Sequence, residues 1–215
     1  MWNELSQPWQ KAFEIAWISF KKGSIPIGCV IIDENEEVVA EGRNQIYDQS
    51  SQHPLALSIM AHAEMTALSQ SKVDDHPNVR KYTLYTTMEP CPMCFGTSVT
   101  VNIRNIVYAA HDRFAGATVL NTSLDYIKEK NITIAFAGHE VEVFQLVLQT
   151  AFEAQRSHPR MQAILEAWSI SNKKAVDLGL RLAKEHFFKH NLSIDVIYDG
   201  VMKRYYGIES LLNNV

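Results

Sequence analysis

The sequence predicts a layered α/β domain followed by a helical extension. Two observations support this fold class. Short apolar runs of strand composition alternate with helical periodicity up to about residue 156, and helical periodicity alone continues beyond it. The hydrophobic content of 47% over 215 residues is enough for one substantial core with a modest appendage. We therefore divide the chain into a first domain, residues 1–156, and a C-terminal extension, residues 157–215.

The chain opens with an amphipathic helix. Trp9, Phe13, Trp17 and Phe20 recur at helical spacing, and Gly23 follows as an end signal. Such a stripe of large apolar side chains predicts a helix that packs one face on a sheet.

The elements that follow can be placed from the composition of each segment and from the turn-forming residues between segments. We predict strands at 27–32 and 38–40 joined as a hairpin, a helix at 61–69, a strand at 82–87, a helix at 94–101, a strand at 105–110, a helix near 123–130, a strand at 132–137 and a helix from about 141 to 156. Residues 45–61 contain a long, mostly polar loop. In the extension, residues 161–168 and 173–190 have helical periodicity.

Charge and apolar patterning exclude some function classes. No stretch approaches the roughly 18 consecutive apolar residues of a membrane span, and the N-terminus lacks the basic flank of a secretion signal, so we expect a cytoplasmic protein. The net charge is −4, and the first domain, with 12 basic against 18 acidic residues, is the acidic part. Because nucleic-acid affinity comes largely from Lys and Arg neutralising phosphates, this charge favours a small substrate.

The residues that carry chemistry lie in two short motifs, His-Ala-Glu at 62–64 and Pro-Cys-Pro-Met-Cys at 90–94, each at the start of a predicted helix. A Cys-x-x-Cys pair supplies two thiolates to one metal ion, and a histidine supplies a third ligand. Either motif alone is a weak signal. Together they predict a zinc site formed by His62, Cys91 and Cys94.

The fourth zinc position decides whether the site is structural or catalytic, since structural sites normally have four protein ligands. Cys29 is the competing ligand, but it lies inside an apolar run and is predicted to be a packed core residue. The position is then open to water, whose pKa zinc lowers from 15.7 to about 7. With three cysteines in all, disulfides are not expected to hold the fold.

Glu64 is the predicted proton carrier. Hydrolysis by a metal-bound water needs a group that takes a proton from that water, passes it to the bond under attack and then protonates the leaving group. One carboxylate beside the metal can do all three. The alternative, a purely structural zinc site made by the same ligands, would leave Glu64 without a role.

These motifs resemble the cytidine and deoxycytidylate deaminase superfamily, with its His-x-Glu and Pro-Cys-x-x-Cys pattern. The chain is most similar to the branch of tRNA adenosine deaminases and guanine deaminases, through motifs at 25–28, 42–44, 62–65, 84–85 and 89–94. The similarity covers roughly residues 8–120. It implies a three-layer α/β/α fold around a mixed sheet of about five strands, bound Zn²⁺, and a homodimer or larger assembly.

The resemblance also implies substrate contacts. Asn44 would hydrogen-bond the base, and backbone groups of Ala63 and Pro90 would face the reacting carbon and its leaving amine. Asp112 and Phe114 lie in a segment that resembles the loop beside the substrate in tRNA deaminases, where they would contact a ribose or stack on a base. Ordinary turn residues remain the alternative for Asn44, Asp112 and Phe114.

The chain departs from this branch in the long loop 45–61 and after about Leu120, where the sequence matches neither the basic C-terminal helix of the tRNA enzymes nor a C-terminal segment of the guanine deaminases. We therefore predict a zinc-dependent hydrolase of cyclic amidine C–N bonds that deaminates a free nucleobase or nucleoside, of guanine, adenine or cytosine type. The alternatives are a tRNA adenosine-to-inosine deaminase and, in another class, a non-catalytic zinc-stabilised binding module.

Overall fold

A five-stranded mixed sheet forms the centre of the protein. The structure, a computed structural model, describes residues 1–156 and 158–208. The strands are β1 (Gly28–Ile32), β2 (Val38–Arg43), β3 (Thr83–Met88), β4 (Asn105–Ala110) and β5 (Thr133–Phe136). Their order is β2-β1-β3-β4-β5; β1 runs antiparallel to β2 and β3, whereas β3, β4 and β5 are parallel. The predicted three-layer α/β/α fold is confirmed.

Seven helices accompany the sheet in the described ranges. They are α1 (Gln7–Lys21), α2 (Ala63–Leu68), α3 (Pro92–Val101), α4 (Asp125–Lys128), α5 (His139–Ala154), α6 (Met161–Lys184) and α7 (Ile194–Tyr206). The two helical segments predicted at 161–168 and 173–190 lie in α6, which ends at Lys184 and has non-helical angles at Asn172. The Asn172 side chain accepts a hydrogen bond from the Ala175 N–H at 3.0 Å, as a cap for the helix that resumes there. None of these helices is long and apolar enough to span a bilayer.

Alternation along β1 creates the two helical layers. Val30 and Ile32 belong to the apolar cluster shared with α1 and α5, whereas Cys29 and Ile31 belong to the cluster shared with α2 and α3. The close approach of α1 to β1 requires a glycine, because a Cβ at Gly28 would lie 2.0 Å from the Ala12 carbonyl oxygen. The sheet therefore separates the motif-bearing helices from α1 and α5.

The C-terminal extension packs onto the same core. The ring of Tyr198, in α7, lies 4.7 Å from that of Phe144 in α5 and 6.1 Å from that of Phe13 in α1, centroid to centroid. The Trp17 indole N–H also donates to the Leu192 carbonyl at 3.1 Å. The described part of the extension thus continues the apolar cluster of the first domain, and the domain boundary at residue 156 stays a prediction.

Candidate active site

Two helix N-termini bring the motif residues together. His62 immediately precedes α2 and Cys91 immediately precedes α3, both with extended backbone angles, and Cys94 follows in the first turn of α3. Pro92 occupies the first position of α3, where a missing N–H costs nothing because no carbonyl precedes it in the helix. The helix dipoles place positive potential at the N-termini of α2 and α3, which favours thiolates there.

The three candidate ligands have the spacing of a tetrahedral zinc site. Cys91 Sγ and Cys94 Sγ are 3.6 Å apart, and His62 Nδ1 lies 3.7 Å from the first sulfur and 3.5 Å from the second. Zinc bond lengths of about 2.3 Å to sulfur and about 2.0–2.1 Å to nitrogen predict ligand separations of about 3.8 Å and about 3.6 Å at tetrahedral angles. The donor set and its geometry both fit zinc.

The surroundings of Cys91 favour the thiolate that binds a metal ion, whereas those of Cys94 favour the thiol. The hydrogen bond with the Cys94 thiol, followed by that with His62, lowers the pKa of Cys91 to about 4. The contact with Cys91, together with burial, raises the pKa of Cys94. One thiolate is therefore present at neutral pH before a cation arrives, and metal binding releases the proton of the other.

Cys29 does not complete the ligand set. The His, Cys, Asp and Glu residues that approach closely enough to share an ion at this site, within the described ranges, are His62, Cys91 and Cys94. Cys29 is a free, fully buried thiol in the apolar cluster under α2 and α3, and burial raises its pKa well above the usual value. The prediction that Cys29 packs in the core is confirmed.

Glu64 lies buried beside the ligands, with 3% of its surface exposed. Its Oε1 accepts a hydrogen bond from the Thr86 hydroxyl at 2.8 Å. Burial raises the pKa of the Glu64 carboxyl. A buried carboxyl whose pKa is raised holds a proton more readily than an exposed one, which suits a general acid–base group.

A cavity of about 160 Å³ opens on these residues. Its lining comes from both helical layers and from the extension: Ile25, Ile27, Asn44, His62, Glu64, Met88, Glu89, Cys91, Asp112, Phe114, Ala115, Gln149, Glu153, Ile164 and Trp168. The structure thus brings three predicted contacts, Asn44, Asp112 and Phe114, to one cavity with Glu64. Residues 45–61, the long loop, do not line it.

Asn44 offers an unused donor. Its side-chain oxygen accepts hydrogen bonds from the Ser24 hydroxyl at 2.8 Å and from the Ile46 N–H at 3.2 Å, which fixes the orientation of the amide. Asn44 is 1% exposed, and its Nδ2 is buried without a partner in the part of the chain that the structure describes. An oriented, unpaired amide donor at a cavity is suited to binding an acceptor on a ligand.

Asp112 and Phe114 occupy the loop after β4. Asp112 Oδ1 accepts hydrogen bonds from the Phe114 N–H at 3.0 Å, the Ala115 N–H at 3.1 Å and the Trp168 indole N–H at 3.1 Å. Burial raises the pKa of Asp112. This carboxylate oxygen therefore organises the loop and links it to the extension. Phe114 is 42% exposed, which leaves its ring available for stacking on a ligand.

Ala63 and Pro90 adjoin the cavity-lining residues but are not among them. The Ala63 carbonyl accepts a hydrogen bond from the Thr66 hydroxyl at 2.9 Å, and the Pro90 carbonyl accepts one from the Ala117 N–H at 2.9 Å. Their predicted contacts with the substrate stay predictions.

The sequence reasoning missed the far wall of the cavity, which contains Gln149 and Glu153 from α5 and Ile164 and Trp168 from α6. One signal was present in the sequence. Gln149 and Glu153 are polar residues one turn apart in a helix whose other residues are largely apolar, a pattern typical of groups kept for a site.

The family model described as "Cytidine and deoxycytidylate deaminase zinc-binding region" matches residues 3–110. The chain is 31% identical to "tRNA-specific adenosine deaminase 2" of Xenopus laevis, over 71% of this chain and 89% of that one. It is 29% identical to the "tRNA-specific adenosine deaminase" of Haemophilus influenzae, over 72% and 86%. The crystal structure of NE0047 in complex with 2,6-diaminopurine superposes with a TM-score of 0.52 at 21% identity, over 71% and 85%, a likeness of fold. With a zinc-type ligand cluster, a buried glutamate and this match, the chain belongs to the cytidine and deoxycytidylate deaminase family and is a zinc-dependent deaminase.

Proposed function

We propose that the chain deaminates a free nucleobase or nucleoside by hydrolysis and releases ammonia. The observation that carries this proposal is the cavity, where Glu64, the ligand cluster and the unpaired Asn44 amide meet in about 160 Å³. That volume is below the ~300–1,000 Å³ of drug-sized ligand sites and suits a single ring system. Guanine, adenine and cytosine are the aminated bases that we propose as substrates, and each is a single ring system.

The roles of the residues follow from their positions. His62, Cys91 and Cys94 hold zinc, which when bound makes water acidic enough to act as a nucleophile at neutral pH. Glu64 would take one proton from that water and deliver it to the ring nitrogen next to the amine-bearing carbon. It would then take the second proton of the same water, from the hydroxyl now on the carbon, and deliver it to the departing amine. The carbon keeps the oxygen of water, and the nitrogen leaves as ammonia. The Asn44 amide donates to an acceptor on the ring and so orients the base.

The second candidate is deamination of adenosine in tRNA. The relatives favour tRNA over a free base as the substrate, since both relatives compared above are named tRNA-specific adenosine deaminases and are 29–31% identical to this chain. The acidic first domain and the cavity wall formed by Ile164 and Trp168 favour the small substrate. The third reading, a binding module without catalysis, leaves the buried Glu64 carboxyl unexplained.

The decisive experiment measures ammonia release by the zinc-loaded protein across aminated bases, nucleosides and an adenosine-containing anticodon stem-loop. We expect turnover of a base or nucleoside and none by Glu64→Ala. Turnover of the stem-loop alone would establish the second candidate. A folded, zinc-loaded protein that turns over none of these substrates would favour the binding module.

We also propose a homodimer, on the basis of the family resemblance, and a cytoplasmic location. Light scattering should then give twice the 24.4 kDa mass of one chain. A mass of one chain at micromolar concentration would contradict the dimer.

A further inference from the structure

Two polar side chains of α5 border the cavity from the layer opposite the zinc-binding helices. Gln149 and Glu153 are four residues apart and so lie on one face of the helix. They are 6% and 4% exposed, and both line the cavity that contains Glu64. A carboxylate and an amide that are both nearly buried at a ligand cavity are costly unless something pairs with them.

Hydrogen bonding fixes the direction of the Gln149 amide. The Pro26 carbonyl can only accept, so the Gln145 group that approaches it at 3.0 Å is the nitrogen, Nε2. The same nitrogen donates to Gln149 Oε1 at 2.8 Å. Gln149 therefore uses its oxygen inside the protein, and its NH₂ group has no partner among residues 1–156 and 158–208.

Glu153 retains capacity to accept. Its Oε2 lies 2.7 Å from His158 Nε2, a hydrogen bond that holds the carboxylate in place. Its Oε1 has an ion pair with Arg156 at 3.9 Å, which is beyond hydrogen-bond distance. The Arg156 guanidinium is in turn held 4.2 Å from the centre of the Tyr47 ring. The cavity wall thus presents an unpaired donor beside an acceptor with a free lone pair.

We infer that Gln149 and Glu153 bind the glycosidic edge of the base, so that the substrate is a free base and not a nucleoside. Every free base has an N–H at the nitrogen that a sugar would occupy, N9 of a purine or N1 of a pyrimidine. Beside it lies an acceptor, N3 or O2. The N–H donates to the Glu153 carboxylate, and the Gln149 NH₂ group donates to the neighbouring acceptor. This inference rests on the proposed function and narrows it.

The inference explains why the wall is polar. A sugar on the glycosidic nitrogen removes the donor, so Glu153 Oε1 keeps only its ion pair with Arg156 at 3.9 Å and gains no hydrogen bond from the ligand. Sites built to hydrogen-bond a substrate group reject analogues that lack it by factors of about 10⁴–10⁵. The same loss excludes nucleotides and RNA, in which every base carries its sugar.

The test uses bases paired with their methylated counterparts: adenine with 9-methyladenine, guanine with 9-methylguanine, and cytosine with 1-methylcytosine. Methylation removes the N–H and keeps the neighbouring acceptor. We measure kcat/KM for each member with the zinc-loaded wild type, Glu153→Gln and Gln149→Met. The control variant is Glu140→Gln, which makes the same charge change at an exposed position of α5.

We expect the wild type and Glu140→Gln to prefer the free base by about 100-fold or more. Glu153→Gln should reduce this preference to below about tenfold by slowing the free base alone. Gln149→Met should slow both members equally, because both keep the acceptor that Gln149 binds. A structural role would slow both members equally in Glu153→Gln as well, so the split between the two members in that variant isolates recognition by Glu153.

Wild-type turnover of a methylated base or a nucleoside as fast as of the free base would overturn this inference and leave the deaminase proposal intact. Turnover of the stem-loop without any free base would overturn both. Should Glu153→Gln fail to fold, the wild-type ratio for each pair still decides the inference.

Discussion

Replacing Glu64 with Gln isolates the proton-carrying role of this side chain. The substitution keeps the size of the side chain and leaves an oxygen to accept the Thr86 hydrogen bond of 2.8 Å. It removes the carboxylate and with it any capacity to carry a proton. General acid–base catalysis contributes about 10²–10⁴-fold for one group. Because Glu64 serves successive transfers, we expect kcat to fall by about 10⁴-fold, which is about 5 kcal/mol in activation free energy.

The stability of the Glu64→Gln variant should not fall with its activity. Burial raises the pKa of the Glu64 carboxyl, which shows that the charged form is poorly solvated in the folded state. A neutral amide of the same shape avoids that cost, so the metal-free variant should unfold at the same denaturant concentration as the wild type or a higher one. Catalysis and stability are thereby separated within one substitution.

The assay combines ammonia release, zinc content by atomic emission and urea denaturation of both proteins. Full zinc occupancy with kcat within tenfold of the wild-type value would refute the assigned role. Loss of zinc from the variant would instead show that Glu64 supports the metal site, and would equally contradict the reasoning.

The other predictions concern the ligands and the loop after β4. Cys91→Ser should lose bound zinc and turnover together. Cys29→Ala should keep both and lower the free energy of unfolding by about 1 kcal/mol. Metal analysis measures the zinc content of each variant, and urea denaturation measures its stability. Because burial raises the folded-state pKa of Asp112, the wild type loses stability as pH rises above the ordinary value of 3.8 through that raised pKa. Asp112→Asn should therefore gain stability over the wild type across this window and match it below; urea curves between pH 3 and about 7 that stay parallel would contradict this. Trp168→Phe removes the indole donor to Asp112 and should lower the unfolding free energy by about 1–2 kcal/mol, a loss smaller in the Asp112→Asn background.

Much of the fold could be predicted because its elements have a clear period. The stripe from Trp9 to Phe20 lies on the buried face of α1 as expected, since large apolar residues recur each turn. The five strands lie within about two residues of their predicted positions, except that β2 is longer than predicted. Its last residues, Glu41–Arg43, lack the apolar composition on which the prediction depended. The ligand cluster could be predicted because each motif is a short run whose geometry a helix start imposes.

The far wall of the cavity could not be predicted in the same way. Gln149 lies 58 residues after Cys91 in the sequence, and Trp168 lies farther still. Their meeting with Glu64 depends on how α5 and α6 pack across the sheet, and periodicity within an element carries no information about that packing. The link from Asp112 to the extension was missed for the same reason, because its partner Trp168 is 56 residues away.

The packing of the extension onto the first core has a consequence for how this enzyme can change. Ile164 and Trp168 border the cavity, yet the extension contains neither the metal ligands nor Glu64. The part of the cavity wall that α6 supplies is thus separate in the sequence from the residues that perform the chemistry. Substitutions in α6 can alter which molecule enters the cavity without changing the metal ligands or Glu64. Related chains with the same two motifs can therefore differ in substrate while they share one mechanism.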